Sequence, residues 1–166
     1  MLFRSDAQKR DLAWNWYRGD RAFFQAGACH ILADVFLRRF PDAGFRPLMI
    51  QPVAGFRGGH IVAACPTTII DWHGWSDRGR YLAHHFRKLR QFYPGWDATV
   101  FELDEFMTPA FFQRFNHRAP DQYFRDPTPR AEAFLDRLLR RSPPLQTSIP
   151  TVGRALRPTS ASECRA

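Results

Sequence analysis

Along the chain, apolar positions first recur at helical spacing, and later alternate as they do in half-buried strands. Residues 6–17 place Leu12, Ala13, Trp16 and Tyr17 on one side of a helix, until Gly19 and Asp20 interrupt it. Residues 28–40 form a second helix with a stripe of Ile31, Leu32, Val35, Phe36 and Phe40, stopped by Pro41, Asp42 and Gly44. Residues 45–53 read as a strand whose Pro47 suits a strand beginning or an edge. A Gly-rich link, 55–59, leads to strands 60–64 and 68–72, joined at Pro66–Thr67 as a hairpin. Ser76 caps a helix over 77–92, with Tyr81, Leu82, His85, Leu89 and Phe92 along one side. A strand at 99–103, a short aromatic helix at 107–115 and a last helix at 128–141 complete the pattern. Phe134, Leu135, Leu138 and Leu139 form the core side of that last helix.

This order predicts an α+β fold: N-terminal helices packed on a small antiparallel sheet, with additional C-terminal helices. Residues 1–141 read as a single domain. Residues 142–166, with Pro143, Pro144, Pro150 and Pro158 among Ser, Thr and Arg, read as a disordered tail.

Charge adds one feature to this picture. A formal net charge of +8 comes almost wholly from arginine, since only Lys9 and Lys88 are lysine. No apolar run approaches the ~20 residues needed to cross a bilayer. Charges occupy residues 1–10, where a signal peptide needs apolar ones. The expectation is a soluble protein, cytoplasmic or exported without a classical signal peptide. Three cysteines, Cys29, Cys65 and Cys164, cannot all pair with one another, which favours free thiols.

Candidate chemistry gathers around Cys29. Small residues, Ala26-Gly27-Ala28, lead into it at the head of the second helix. Unpaired backbone N–H groups and the positive end of the macrodipole favour thiolate there. If 60–64 and 68–72 pair about a two-residue loop, opposed residue numbers sum to 133. Ala64 then faces Ile69, Val62 faces Asp71 and His60 faces His73. His60 and Asp71 would share a face as diagonal neighbours, ~7–8 Å apart at the backbone. A thiol, an imidazole and a carboxylate in that arrangement supply nucleophile, general base and orienting group.

The pattern G-x-C opening an apolar helix (Gly27 to Cys29), then Gly59-His60 on a strand, then an apolar strand ending in Asp71, resembles the papain-like cysteine hydrolase superfamily. It is most similar to the transglutaminase-like branch, in which the catalytic order is also Cys, His, Asp. The resemblance covers residues 25–74. It implies a papain/transglutaminase-like fold, Cys29 as nucleophile, His60 as base and Asp71 as orienter. It also implies Gln25 as an oxyanion-stabilising glutamine, beside the backbone N–H of Cys29. The proline that commonly follows the transglutaminase aspartate is absent: Trp72-His73-Gly74-Trp75 stands there.

The expected function is therefore a cysteine-dependent hydrolase or acyltransferase acting on amide or peptide bonds of a protein or peptide. It would work through a thioester and need no cofactor. Protease, amidase, deamidase and acyl transfer share the first half-reaction and stay open. Trp14, Trp16, Trp72 and Trp75 are the candidate substrate-binding walls. A metal site is not favoured, because no C-x-x-C or H-E-x-x-H occurs, and adjacent His84 and His85 diverge by ~100° on a helix. His30 reads as structural or substrate-lining. The alternative is a non-enzymatic basic module for nucleic acid or an acidic protein partner. It would use Arg78, Arg80, Arg87, Lys88 and Arg90 with Tyr81, Phe86 and Phe92 interleaved.

Overall fold

A computed structural model describes residues 4–141; the tail reading for 142–166 lies outside the described residues. Four helices come first: α1 (Asp6–Arg10), α2 (Leu12–Trp16), α3 (Asp20–Gln25) and α4 (Cys29–Arg39). The strands follow, β1 (Arg46–Pro52), β2 (His60–Ala64), β3 (Thr68–Asp71) and β4 (Gly74–Asp77), then α5 (Arg78–Phe92) and β5 (Ala98–Glu102). Helix α6 (Pro109–Phe115), a 3-10 turn at Pro120–Gln122 and α7 (Thr128–Arg141) complete the chain. The protein is thus α+β, with one five-stranded sheet in the order β4-β3-β2-β1-β5 and every neighbouring pair antiparallel.

The sheet is covered on both faces, and strand alternation decides which residue faces which cover. Ala63 and Ile70 point toward α4, where they join Ile31, Leu32, Val35 and Phe36 in the largest core cluster. Helix α7 seals α4 from outside through Ala131, Phe134, Leu135 and Leu138. The opposite face, with Leu48, Val62, Ala64 and Ile69, packs under Tyr81 and Leu82 of α5. Apolar burial on both sides explains why β2 is buried at all five positions instead of alternating.

Four local expectations change. Residues 6–17 make two short helices, because Asp11, at ψ 99°, ends α1 and accepts the Trp14 N–H to start α2. Strand β1 lies inside the sheet, between β2 and β5, so Pro47 is not on an edge strand. The proline is tolerated near the strand's start, opposite Ala63, and its carbonyl still accepts from Leu103 N–H at 2.9 Å. Strand β3 stops at Asp71, which leaves Trp72 and His73 in a turn, and β4 was not anticipated. Ser76 belongs to β4, and Asp77 caps α5 instead, accepting from Arg80 N–H at 2.8 Å.

Cys65 is disulfide-bonded, which corrects the reading of all the cysteines as free. An odd count forbids complete pairing but not a single bond. Cys29 is a free thiol. No helix among the described residues is long and apolar enough to cross a membrane.

Leu135 is fully buried where α7 meets α4. Leu135→Ala is expected to cost about 2–5 kcal/mol of unfolding free energy, read as a lower urea midpoint at unchanged slope.

Candidate active site

Cys29 is the first residue of α4. Its N-cap is Ala28, which has no side chain able to take up the first-turn N–H groups, and no side-chain cap bond forms there. The approach to it is fixed by Gly27, at φ 133°, a conformation that L-residues with a Cβ rarely adopt. The Tyr123 hydroxyl donates to the Gly27 carbonyl at 2.5 Å, tying this bend to the segment after α6. A thiol thus sits at the positive end of an uncapped helix.

His60 and Asp71 arrive from the sheet. The hairpin register is Ala63↔Ile70 and Ala64↔Ile69, the pairing deduced from the two-residue loop. It puts both side chains on the α5 face at the same end of the strands. His60 Nε2 lies 3.5 Å from Asp71 Oδ2, an ion-pair separation longer than a formed hydrogen bond. The expected facing of His60 and His73 does not occur, because the chain has already turned at Asp71; His60 instead pairs with Ile50 of β1. Helix α4 covers the other face of the sheet. Since Cys29 heads α4 and His60 opens β2, the two meet around the sheet's end, close enough for the charge of each to act on the other. With Nε2 turned to the carboxylate, Nδ1 is the nitrogen left to exchange a proton with Sγ.

Electrostatics follow from this placement. Burial alone would raise the Cys29 thiol and depress the His60 imidazole. The attraction between thiolate and imidazolium outweighs burial in both, so the thiol falls well below its ordinary range and the imidazole rises. Asp71 is buried too, yet its carboxyl is held far below the usual range by the adjoining His60 imidazole first, and then by His73 and Tyr81. The Tyr81 hydroxyl donates to Oδ2 at 2.7 Å and the His73 backbone N–H to Oδ1 at 2.7 Å. A buried carboxylate with that many donors stays ionised and cannot rotate freely.

Other residues complete the surroundings, and sequence reasoning missed their roles. The His85 ring stacks over His60 at a centroid distance of 5.8 Å and an interplanar angle of 17°. Burial pushes His85 down to about 4, with the His60 charge adding to the effect, so it is uncharged at neutral pH. His117 is likewise lowered to about 4 by burial. It is aimed by Asn116, whose left-handed φ of 52° ends α6. Tyr81 and His85 were legible only as the inner side of α5; nothing in the sequence tied that side to Asp71. His30 is fully buried, and its Nε2–H donates to the Arg118 carbonyl at 2.9 Å. It is structural and does not line the cleft.

The sulfur opens on a cleft of about 1440 Å³, lined by Cys29, His60, Gln25, Trp72 and Trp75 among others. Trp14 and Trp16 do not line it. Helix α2 turns them elsewhere: Trp14 lies under the Arg18 guanidinium, and Trp16 packs edge-on against Phe23 with Arg130 over its ring. Cysteine, histidine and aspartate therefore converge, with Gln25 and the later tryptophans on the walls. No protein-family model, curated protein or solved structure matches the chain. Among the described residues, no group of three or more His, Cys, Asp or Glu is arranged to hold a metal ion.

Because the thiol's ionisation is shifted down, Cys29 should react with iodoacetamide at pH 6 at least about tenfold faster than glutathione. His60→Ala removes the partner charge while burial stays, so ionisation moves upward and that advantage disappears. A pH profile of alkylation, read by mass spectrometry, measures both. Gly27→Ala should also slow alkylation, since a Cβ there would stand 3.1 Å from the Arg4 guanidinium and strain the backbone.

Proposed function

We propose that the protein is a cysteine hydrolase of the peptidase or amidase kind, related to the papain-like and transglutaminase-like enzymes, with Cys29 as nucleophile. The observation that carries this reading is the charge-coupled Cys29–His60 pair, buried at a helix head and steadied by Asp71, at the floor of an open cleft. A thiolate matched with an imidazolium is the resting form of a thiol nucleophile with its own general acid. A structural cysteine in an apolar core would have its ionisation raised instead.

The chemistry then runs in two halves. Sγ attacks the carbonyl carbon of an amide, and the charge moves to oxygen, where the Cys29 backbone N–H and Gln25 are the nearest candidates to receive it. The imidazolium of His60 gives its Nδ1 proton to the departing amine, the C–N bond breaks, and a thioester remains. Water entering the cleft loses a proton to the now neutral His60 and attacks the thioester, releasing the carboxylic acid and regenerating the pair. An amine in place of water gives acyl transfer by the same steps. Asp71 stays ionised throughout, fixing the ring orientation and stabilising its cationic form.

p-Nitrophenyl acetate tests the proposal without knowledge of the natural substrate. The expected result is an acetyl group on Cys29, seen by mass spectrometry, that water removes so that nitrophenolate release continues. Cys29→Ala should abolish acylation, and His60→Ala should slow it by about 10²–10⁴-fold. Acylation no faster than that of glutathione would reject the enzyme reading and leave the basic cleft as a binding surface.

A further inference from the structure

We propose that Arg4 forms a carboxylate-binding subsite beside Cys29, so that the preferred acyl substrates carry an anionic group next to the carbonyl under attack. The inference rests on Cys29 being the nucleophile and adds what that nucleophile selects. Arg4 lines the same cleft as Cys29 and Gly27. Its guanidinium lies flat against the bend before the nucleophile, with Nη2 and Nη1 at 3.1 and 3.2 Å from where a Cβ on Gly27 would stand. Glycine at that position is therefore what admits the guanidinium to the nucleophile's side of the cleft.

Among the described residues Arg4 has no carboxylate partner; the negative charges that bear on it are those of Cys29 and Tyr123. Nη1 donates to the neutral Asn15 Oδ1, which leaves Nη2 and Nε to grip a planar anion. Elsewhere the arginines find acids: Arg130 and Arg137 share Asp20, Arg39 meets Asp136, and Arg90 meets Asp97. Among the described residues no carboxylate pairs with Arg4, nor with Arg18 or Arg118, whose charges bear on it. Arg18 Nη1 is itself buried without a hydrogen-bond partner. Burial first, and then repulsion from Arg18 and Arg118, lower the Arg4 pKa against the opposing pull of Tyr123 and Cys29. The mouth of the cleft has the same sign. Lys9 and Arg57 share the single carboxylate of Asp6, while Arg80 and Lys88 stand on the α5 side. An anionic substrate is drawn in by the rim and fixed at Arg4.

Paired alkylating agents test this on the intact protein. The Cys29 thiolate displaces iodide from either iodoacetate or iodoacetamide, and the ratio of the two rates cancels changes in thiol ionisation. At neutral pH and low salt, Arg4→Gln should lower the iodoacetate-to-iodoacetamide ratio about fivefold, the scale of one partly screened charge pair. Arg4→Lys should keep most of the ratio, and Lys88→Gln should change it far less. An unchanged ratio in Arg4→Gln, or an equal fall in Lys88→Gln, overturns the subsite in favour of a diffuse basic rim. The wild type supplies a check that does not depend on a variant folding. N-acetylglutamate should protect Cys29 from iodoacetamide while the uncharged N-acetylglutaminamide does not, and equal protection or none also overturns the proposal. Failure of the nucleophile reading looks different: wild-type Cys29 would then react with iodoacetamide no faster than glutathione.

Discussion

One buried charge pair organises this molecule's interior. Sulfur and imidazole are each placed where burial opposes their charged forms, and their mutual attraction, with Asp71 behind the imidazole, favours ionisation. The condition is demanding, because a charge pair out of water is stable only when its remaining hydrogen-bonding capacity is met. Asp71 sets a negative charge 3.5 Å from His60 Nε2, and Tyr81 with the His73 backbone supplies the donors that Asp71 needs. Tyr81 in turn is fixed by packing against the sheet. A chain of interacting groups therefore runs from the helix head to α5, and each member is positioned by a different element.

Much of this was readable from the sequence because it depends on short-range rules. A two-residue loop fixes hairpin register, and register fixes the side of the sheet, so His60 and Asp71 could be placed together from residue numbers alone. Cys29 was placed at the start of the second helix behind small residues, and it is the first residue of α4. The long helices kept their predicted extents within a residue or two because their apolar stripes were long.

What was not readable depends on distant contacts. Tyr81 reaches Asp71 only because α5 crosses the sheet above it, and the spacing of one helix cannot reveal what it crosses. Strand β4 was missed because Gly74-Trp75-Ser76-Asp77 is short and begins with a turn glycine, so tertiary pairing with β3 rather than propensity makes it a strand. Trp14 and Trp16 were misplaced because indoles are equally at home on a binding wall and against a neighbouring helix. The disulfide at Cys65 was hidden by an odd count, which says nothing about which cysteines remain.

Helix α4 holds the sulfur at one end and supplies the spine of the main core along its length. Cys29 is therefore mounted at the open first turn of an element whose middle turns should exchange their amide hydrogens only when the whole domain unfolds. Helix α5 is different, with Leu89 its only buried residue. It is held to the sheet by Tyr81, Leu82 and Leu89 and turns the rest of its surface outward, so it forms a thin roof over the entrance beside the thick support of α4.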